Sequence, residues 1–373
     1  DYRSENERRL NDALQTELTG QLQLAGLQHD LSFSWLRQRQ IDKLSPMQAY
    51  NWAGTGSLSG VSDSAAAPEP YDLNTNRQEY STEISAKDRI HVNQFADLWL
   101  GLRTSHIQRD SQRTDGSRAT HDDRTITTPW LAFSHKLPWS TTGYASYGQG
   151  VEAQVTPNRS RYTNAGVALP SAKSTQKELG FKGAQGAWLW NAALFDITRP
   201  VWGDQGLCEE ANSCTRKLDG VAAHKGVELG MGFRSTQWKL DSAATWLNAK
   251  RADAVIDPSQ NGQRPLNVPS LVVRAAAEYR WTQIPGLRTS VRLSHEGQRD
   301  LMEGGVMTLP AWTTADLAAH YSTKVAGQDA DWTLALENVT NRAYWRESPK
   351  QFGHYYLYAG APRNFRLTVR TLF

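Results

Sequence analysis

Leu271, Val273, Ala275, Ala277, Tyr279 and Trp281 alternate with Val272, Arg274, Ala276, Glu278 and Arg280. The same two-residue period sets Ala96, Leu98, Leu100 and Leu102 against Asp97, Trp99, Gly101 and Arg103. It sets Leu287, Val291 and Leu293 against Arg288, Ser290, Arg292 and Ser294. A period of two belongs to a strand with one apolar and one polar face. Followed along the chain, it predicts fifteen strands, at roughly 14–28, 30–41, 77–88, 90–108, 125–137, 140–152, 174–184, 187–198, 222–235, 237–250, 270–282, 286–298, 311–323, 331–340 and 363–373. Two stretches resist the pattern. Both faces of 188–197 are apolar, so its lipid or core side is not assigned. Pro129 lacks a ladder donor, which moves the start of its strand to about Trp130.

The connections alternate in length. Short ones fall near 29, 89, 138–139, 185–186, 236, 283–285 and 324–330. Long ones fall at 42–76, 109–124, 153–173, 199–221, 251–269, 299–310 and 341–362 and hold most of the prolines. Short turns at one end and long loops at the other are the pattern of an outer-membrane barrel. A soluble sandwich or propeller has loops of mixed length at both ends, and no repeat of propeller period is visible. Lipid offers no partner to backbone N–H and C=O groups, so a spanning sheet must close on itself. The expected fold is therefore an all-β, antiparallel transmembrane β-barrel. Counting back from the last strand puts the short turns at the periplasm and the long loops outside.

Composition sharpens this picture. Hydrophobic residues are 39% of the 373 and the mean hydropathy is −0.60, low for a soluble domain. Yet the chain carries 14 Trp, 13 Tyr and 9 Phe, which argues against disorder. A polar lumen, a lipid face and aromatic girdles account for both observations. The net charge of +3 points to no nucleic-acid partner. No apolar run approaches a membrane-spanning helix. The chain opens on the charged DYRSENERRL, so an exported protein is expected to have its leader upstream. The two cysteines, Cys208 and Cys214, read as a disulfide if the protein is exported and as free thiols if it is cytosolic.

The C-terminal NFRLTVRTLF places Phe365, Leu367, Val369 and Phe373 on one face and ends on the aromatic, like the assembly signal of outer-membrane barrels. Other segments carry a wider resemblance. LWLGLRTSH is similar to a strand that usually reads LGLRYD. GYASYGQGVE resembles YASYSEGFE, and SAKSTQKELGFK resembles KPEKSKQYELGVK. AALFDITRP, HKGVELG, QRPLNVPS, LPAWTTADLAAHY, LALENVTNRAYW and GAPRNFRLTVRTLF follow in order. Together they resemble the C-terminal half of TonB-dependent siderophore receptors along essentially the whole chain. That resemblance implies a 22-stranded barrel of which residues 1–373 supply about the last fifteen strands. It also implies an N-terminal plug and first strands that are not in this sequence.

The resemblance implies energy-coupled uptake of a ferric siderophore, and the TonB–ExbB–ExbD complex acting through the plug as a partner. Outer-membrane lipid and the barrel assembly machinery are the other expected partners. No resident cofactor or metal is expected, with iron present only inside the transported chelate. No enzyme motif survives its context, and the nine histidines are scattered. Haem, cobalamin or a nickel complex remain alternative cargoes, although the FRAP-type and NPNL motifs of haem receptors are absent. A passive porin is a further alternative. Siderophore complexes suit Trp, Tyr and Arg through stacking and charge-assisted hydrogen bonds. The long loops offer Tyr50 and Trp52; Arg159, Arg161 and Tyr162; Trp202; Tyr344, Trp345 and Arg346; and His354, Tyr355, Tyr356 and Tyr358. The cluster at 344–358 is the preferred one. Arg103, Glu178, Glu228, Arg274, Glu278, Arg292 and Glu337 are expected on the inner wall, facing the plug or water.

Overall fold

Fifteen antiparallel strands form one continuous sheet in which each strand pairs with its neighbours in the chain. They are β1 Arg8–Leu24, β2 Leu27–Lys43, β3 Thr75–Asn93, β4 Ala96–Arg113, β5 Thr120–Leu137, β6 Thr141–Glu152, β7 Ala172–Gln185 and β8 Trp188–Gly206. Then come β9 Cys214–Arg234, β10 Trp238–Ala252, β11 Leu271–Arg280, β12 Leu287–Glu296, β13 Trp312–Val325, β14 Gln328–Glu337 and β15 Asn364–Thr371. This computed structural model describes all residues except 1, 51–53, 58–61, 65–71, 158, 160, 209, 326, 352–353 and 372–373. Trp52 and Phe373 therefore lie outside the described residues, as do the side chains of Tyr50 and His354. Every predicted strand has one counterpart. Among the described residues β1 pairs only with β2 and β15 only with β14, so the sheet has two uncovered edges.

The register sorts the two faces. Phe365, Leu367 and Val369 of β15 stand opposite Leu336, Leu334 and Trp332 of β14, and this apolar row continues strand by strand to Leu14, Leu18 and Leu22 of β1. Leu18 is 72% exposed, as a lipid-facing leucine should be in the absence of lipid. The ambiguous stretch 188–197 is resolved in the same way. Trp188, Trp190 and Leu194 pair with Phe233, Met231 and Val227 on the lipid side, which turns Leu189, Ala193 and Phe195 to the lumen. Beside the short turns the outward aromatics form a girdle. Trp188 and Phe233 have ring centroids 4.7 Å apart, as do Trp238 and Tyr279, and Trp281 lies 5.1 Å from Tyr279. All seven charged residues expected on the inner wall fall on the lumen face by this register.

Four expectations about the connections need correction. The first hairpin turns at Ala25–Gly26 rather than near 29, with φ of 52° and 79°. Positive φ at both central residues is the two-residue turn whose twist matches the strands. His29 lies within β2, and its Nδ1 meets Asp88 Oδ2 at 2.8 Å. The next turn is at 94–95 rather than 89, because a bulge between His91 and Asn93 extends β3 and Asn93 Oδ1 then accepts the Phe95 N–H at 2.8 Å. Pro129 sits inside β5, not before it. It pairs with Leu102 of β4, and the ladder to β6 begins only at Trp130, so no donor is missed. Finally, 109–124 and 199–221 are mostly strand, leaving tips of only 114–119 and 207–213. Above the bilayer both faces meet water, so the apolar alternation stops while the hydrogen-bonded ladder continues.

Candidate ligand site in the outer loops

The long loops rise from the end opposite the short turns and the C-terminus. Each is fastened to the next. Thr114 donates through its amide to Asn74 O at 3.0 Å and through its hydroxyl to Pro46 O at 2.6 Å. Arg118 reaches Arg159 O at 3.0 Å. The loop 153–171 docks on the β8–β9 tip, and Asp219 on that hairpin accepts the Val255 and Ile256 amides, both at 2.8 Å. Asn267 donates to Asp300 O and accepts the Ser348 amide, both at 2.9 Å. The result is a belt of seven loops.

Arg161 and Tyr162 come together in this belt, and Tyr162 presents no surface. Tyr162 is 1% exposed. Its hydroxyl donates to Asp204 Oδ2 and accepts from Arg216 Nη2, both at 3.0 Å. The guanidinium carbons of Arg161 and Arg216 lie 5.1 and 5.3 Å from its ring centroid. Cys214 donates its amide to Arg161 O at 3.0 Å and accepts the Thr163 amide at 2.8 Å, a short parallel bridge. Cys208 and Cys214 are disulfide-bonded across the tip, with Cα atoms 4.7 Å apart. Burial pushes the Asp204 carboxyl up, but the hydrogen bond and charge of Arg216 outweigh it and hold it below the usual range. Burial raises the Tyr162 phenol. Tyr162 is thus a pin of the loop and unavailable to a ligand in this arrangement. Trp202 is half-buried on β8 beside a register shift. Among the described residues, Asp204, Cys208 and Cys214 are the one group close enough to hold a metal ion, and the disulfide occupies both sulfurs.

The last loop, 338–363, is built differently. Trp345–Glu347 pairs with Tyr358–Ala359, and Lys350 pairs with Tyr355. Tyr344 lies against Trp312 of β13, with ring centroids 4.5 Å apart, and Arg274 of β11 stands 5.8 Å from the Trp312 ring. Arg274 and Arg299 share Glu296. Arg342, Tyr344, Trp345 and Ala359 line part of a cavity of about 500 Å³ at the base of the loop. Arg346 is exposed, while Tyr355 and Tyr356 are half-buried. Tyr355 donates to Glu303, and Lys350 Nζ meets the other Glu303 oxygen at 2.5 Å, which ties this loop to the one before it. Burial would raise the Glu303 carboxyl, but Lys350 and Tyr355 prevail and lower it. Glu303, Trp312, Asp204 and Arg216 were not singled out by the sequence. Trp312 carried a signal in its lumen-facing parity, whereas the ion pairs carried none.

Residues 1–341 match the family model described as TonB dependent receptor-like, beta-barrel. The chain belongs to this family. Family and fold are those of transport receptors rather than enzymes, and they place the chain in the Gram-negative outer membrane. It is 27% identical over 318 residues to the ferrichrome receptor FcuA of Yersinia enterocolitica, covering 83% of this chain and 41% of that protein. It is 23% identical over 309 residues to the metal-pseudopaline receptor CntO of Pseudomonas aeruginosa (strain UCBPP-PA14), covering 77% and 40%. The solved structure of BauA, the ferric preacinetobactin receptor of Acinetobacter baumannii, superposes with a TM-score of 0.77 at 21% identity, over 98% of this chain and 54% of that one. At that identity the likeness is one of fold. The chain spans about half the length of such relatives, or less.

The receptor-like segments LALENVTNRAYW and GAPR meet at the base of the last loop. Asn338 donates to Arg342 O and Ala361 O, both at 2.9 Å, and accepts the Arg342 amide at 2.9 Å. Asn341 accepts the Arg363 amide at 3.0 Å. Both asparagines have φ near +50°, a conformation that Asn tolerates better than most residues. These motif positions hold the loop in place, which leaves its aromatic residues to present a surface.

Proposed function

We propose that residues 1–373 are the C-terminal part of an outer-membrane receptor that takes up a ferric siderophore by TonB-dependent transport. Upstream strands close the barrel against the uncovered edges of β1 and β15, and an upstream plug fills the lumen. The TonB–ExbB–ExbD complex pulls on that plug from the periplasm. Phe365, Leu367, Val369 and Phe373 serve recognition by the barrel assembly machinery. The observation that carries the ligand assignment is the cavity at the base of the last loop, where Tyr344 and Trp345 offer aromatic faces and Arg342 a cation. Such a set suits a flat, oxygen-rich chelate. Arg346, Tyr355 and Tyr356 of the same loop extend the surface around it, and iron enters only as cargo.

The test is fluorescence quenching of the full-length receptor titrated with a panel of ferric chelates and their iron-free forms. Tight binding of one iron complex, and not of the bare chelator, is the expected result. A deletion strain that grows like wild type on every chelate tested as iron source would overturn the proposal.

A further inference from the structure

The lipid-facing wall of the sheet carries an apolar furrow over β6. Ala145 stands between Phe133 of β5 and Leu179 of β7 in the register, a methyl group flanked by large side chains. Leu98, Leu131 and Leu194 complete the walls of a groove of about 600 Å³. This face points away from the lumen. Three or more strands of this chain stand between β4–β8 and either uncovered edge, so neither a plug nor upstream strands cover it.

On the loop side the furrow ends in polar groups. Tyr147, Lys177, Asp196 and Lys225 stand in one cross-strand row. Toward the short turn the outward positions of β7 are Leu179 and Phe181, and toward the loops they are Thr175 and Lys173. The row therefore marks the upper edge of the hydrocarbon, where the headgroups of the outer leaflet begin. Asp196 meets Lys225 at 3.2 Å, and Lys177 is exposed with no ion pair among the described residues. Lys250 follows on β10, equally exposed and equally without one. The Tyr147 hydroxyl accepts from Gln149 at 2.7 Å, which leaves its own hydrogen to donate. With one carboxylate among these lysines, the charge left over is positive. The stretch is local, because the outward wall of β4 and β5 carries Asp110 and Asp123 above the apolar band. A lone lysine at a bilayer edge only snorkels to water. Here a chain-sized furrow lies directly beneath the cations, which is the pattern of an acylated anion.

We propose that the furrow and its basic rim hold a phosphorylated glycolipid of the outer leaflet, lipid A, as a bound lipid. One acyl chain lies over Ala145, and a phosphate is held by Lys177, Lys225 and the Tyr147 hydroxyl. The inference rests on the outer-membrane location of the chain and not on the cargo it carries.

Purified full-length receptor in a non-ionic detergent is titrated with bisphosphorylated lipid A, with lipid A stripped of its phosphates and with phosphatidylglycerol. Bound lipid is counted by native mass spectrometry. Bisphosphorylated lipid A should be retained at least about tenfold better than either of the others. Lys177→Gln/Lys225→Gln should remove that preference. Ala145→Phe, which fills the furrow, should lower retention of lipid A with both lysines in place, and Ala145→Leu repeats the measurement should the larger side chain hinder folding. Equal retention of the three lipids would overturn the site, as would retention that survives either change. Phosphatidylglycerol held as well as lipid A would reveal a general phosphate contact and overturn the assignment to a glycolipid. No chelate is present in this titration, so failure of the receptor assignment and failure of the lipid site are told apart.

Discussion

The loop 153–171 and the last loop, 338–363, draw on the same residue types and use them in opposite ways. In the first, a tyrosine with two arginines is buried, and its hydroxyl is engaged by Asp204 and Arg216. In the second, Tyr344 leans on Trp312 and contributes to an accessible cavity, while Trp345 and Arg342 remain at its edge. The backbone makes the difference. A disulfide-closed hairpin gives the first loop a wall to dock against, so its aromatic ring becomes core. The last loop is held from below by Asn338 and Asn341, which frees its rings for contact.

The sharpest way to break this comparison is Tyr162→Ala. Removing a buried aromatic should cost about 3–5 kcal/mol locally, read as lost amide-exchange protection in 161–169 with the barrel strands unchanged. Ligand affinity should fall only if the loop's position matters to binding. Next comes the Cys208→Ser/Cys214→Ser pair. A loop this short should lose about 2 kcal/mol, again as faster exchange in 161–169 and the 207–213 tip. On the other side, Tyr344→Ala with Trp345→Ala should weaken chelate binding about tenfold or more while exchange in the strands stays as it was. Unchanged affinity in that double variant would remove this loop from the ligand surface.

The smallest effect is acid sensitivity. Asp204 and Glu303 both have carboxyls held below their ordinary values. Each contributes stability that is present above its unfolded value, near pH 4, and is lost as the pH falls through the depressed one. Amide exchange in 161–169 should therefore quicken below about pH 4, and in Asp204→Asn it should be fast already at neutral pH. A wild-type profile flat down to pH 2 would contradict the latch.

The strand count and the two ends of the sheet were legible because lipid on one side and water on the other impose a strict period of two. Legibility failed where one of those solvents was absent. The extensions at 109–113 and 120–124 meet water on both faces, so polar residues such as Asp110 and His121 gave no sign of the ladder that pairs them. Pro129 misled because a proline's cost depends on whether a neighbour needs its N–H, which only the register reveals. Among the site residues, side-chain chemistry could not separate Tyr162 from Tyr344. Their fates depend on partners such as Asp204 and Trp312, distant in sequence from the loops they hold.

The belt of fastened loops also bears on how such a receptor changes over generations. A substitution that reshapes one loop disturbs the carbonyl or carboxylate on which its neighbour rests, so variation should travel in adjacent sets rather than singly. A graft meant to alter cargo preference has the same constraint: exchanging 338–363 alone leaves Glu303 and Asn267 without Lys350 and Ser348, whereas moving 297–311 and 253–270 along with it carries these two fastenings and leaves the one to Asp219 to be matched.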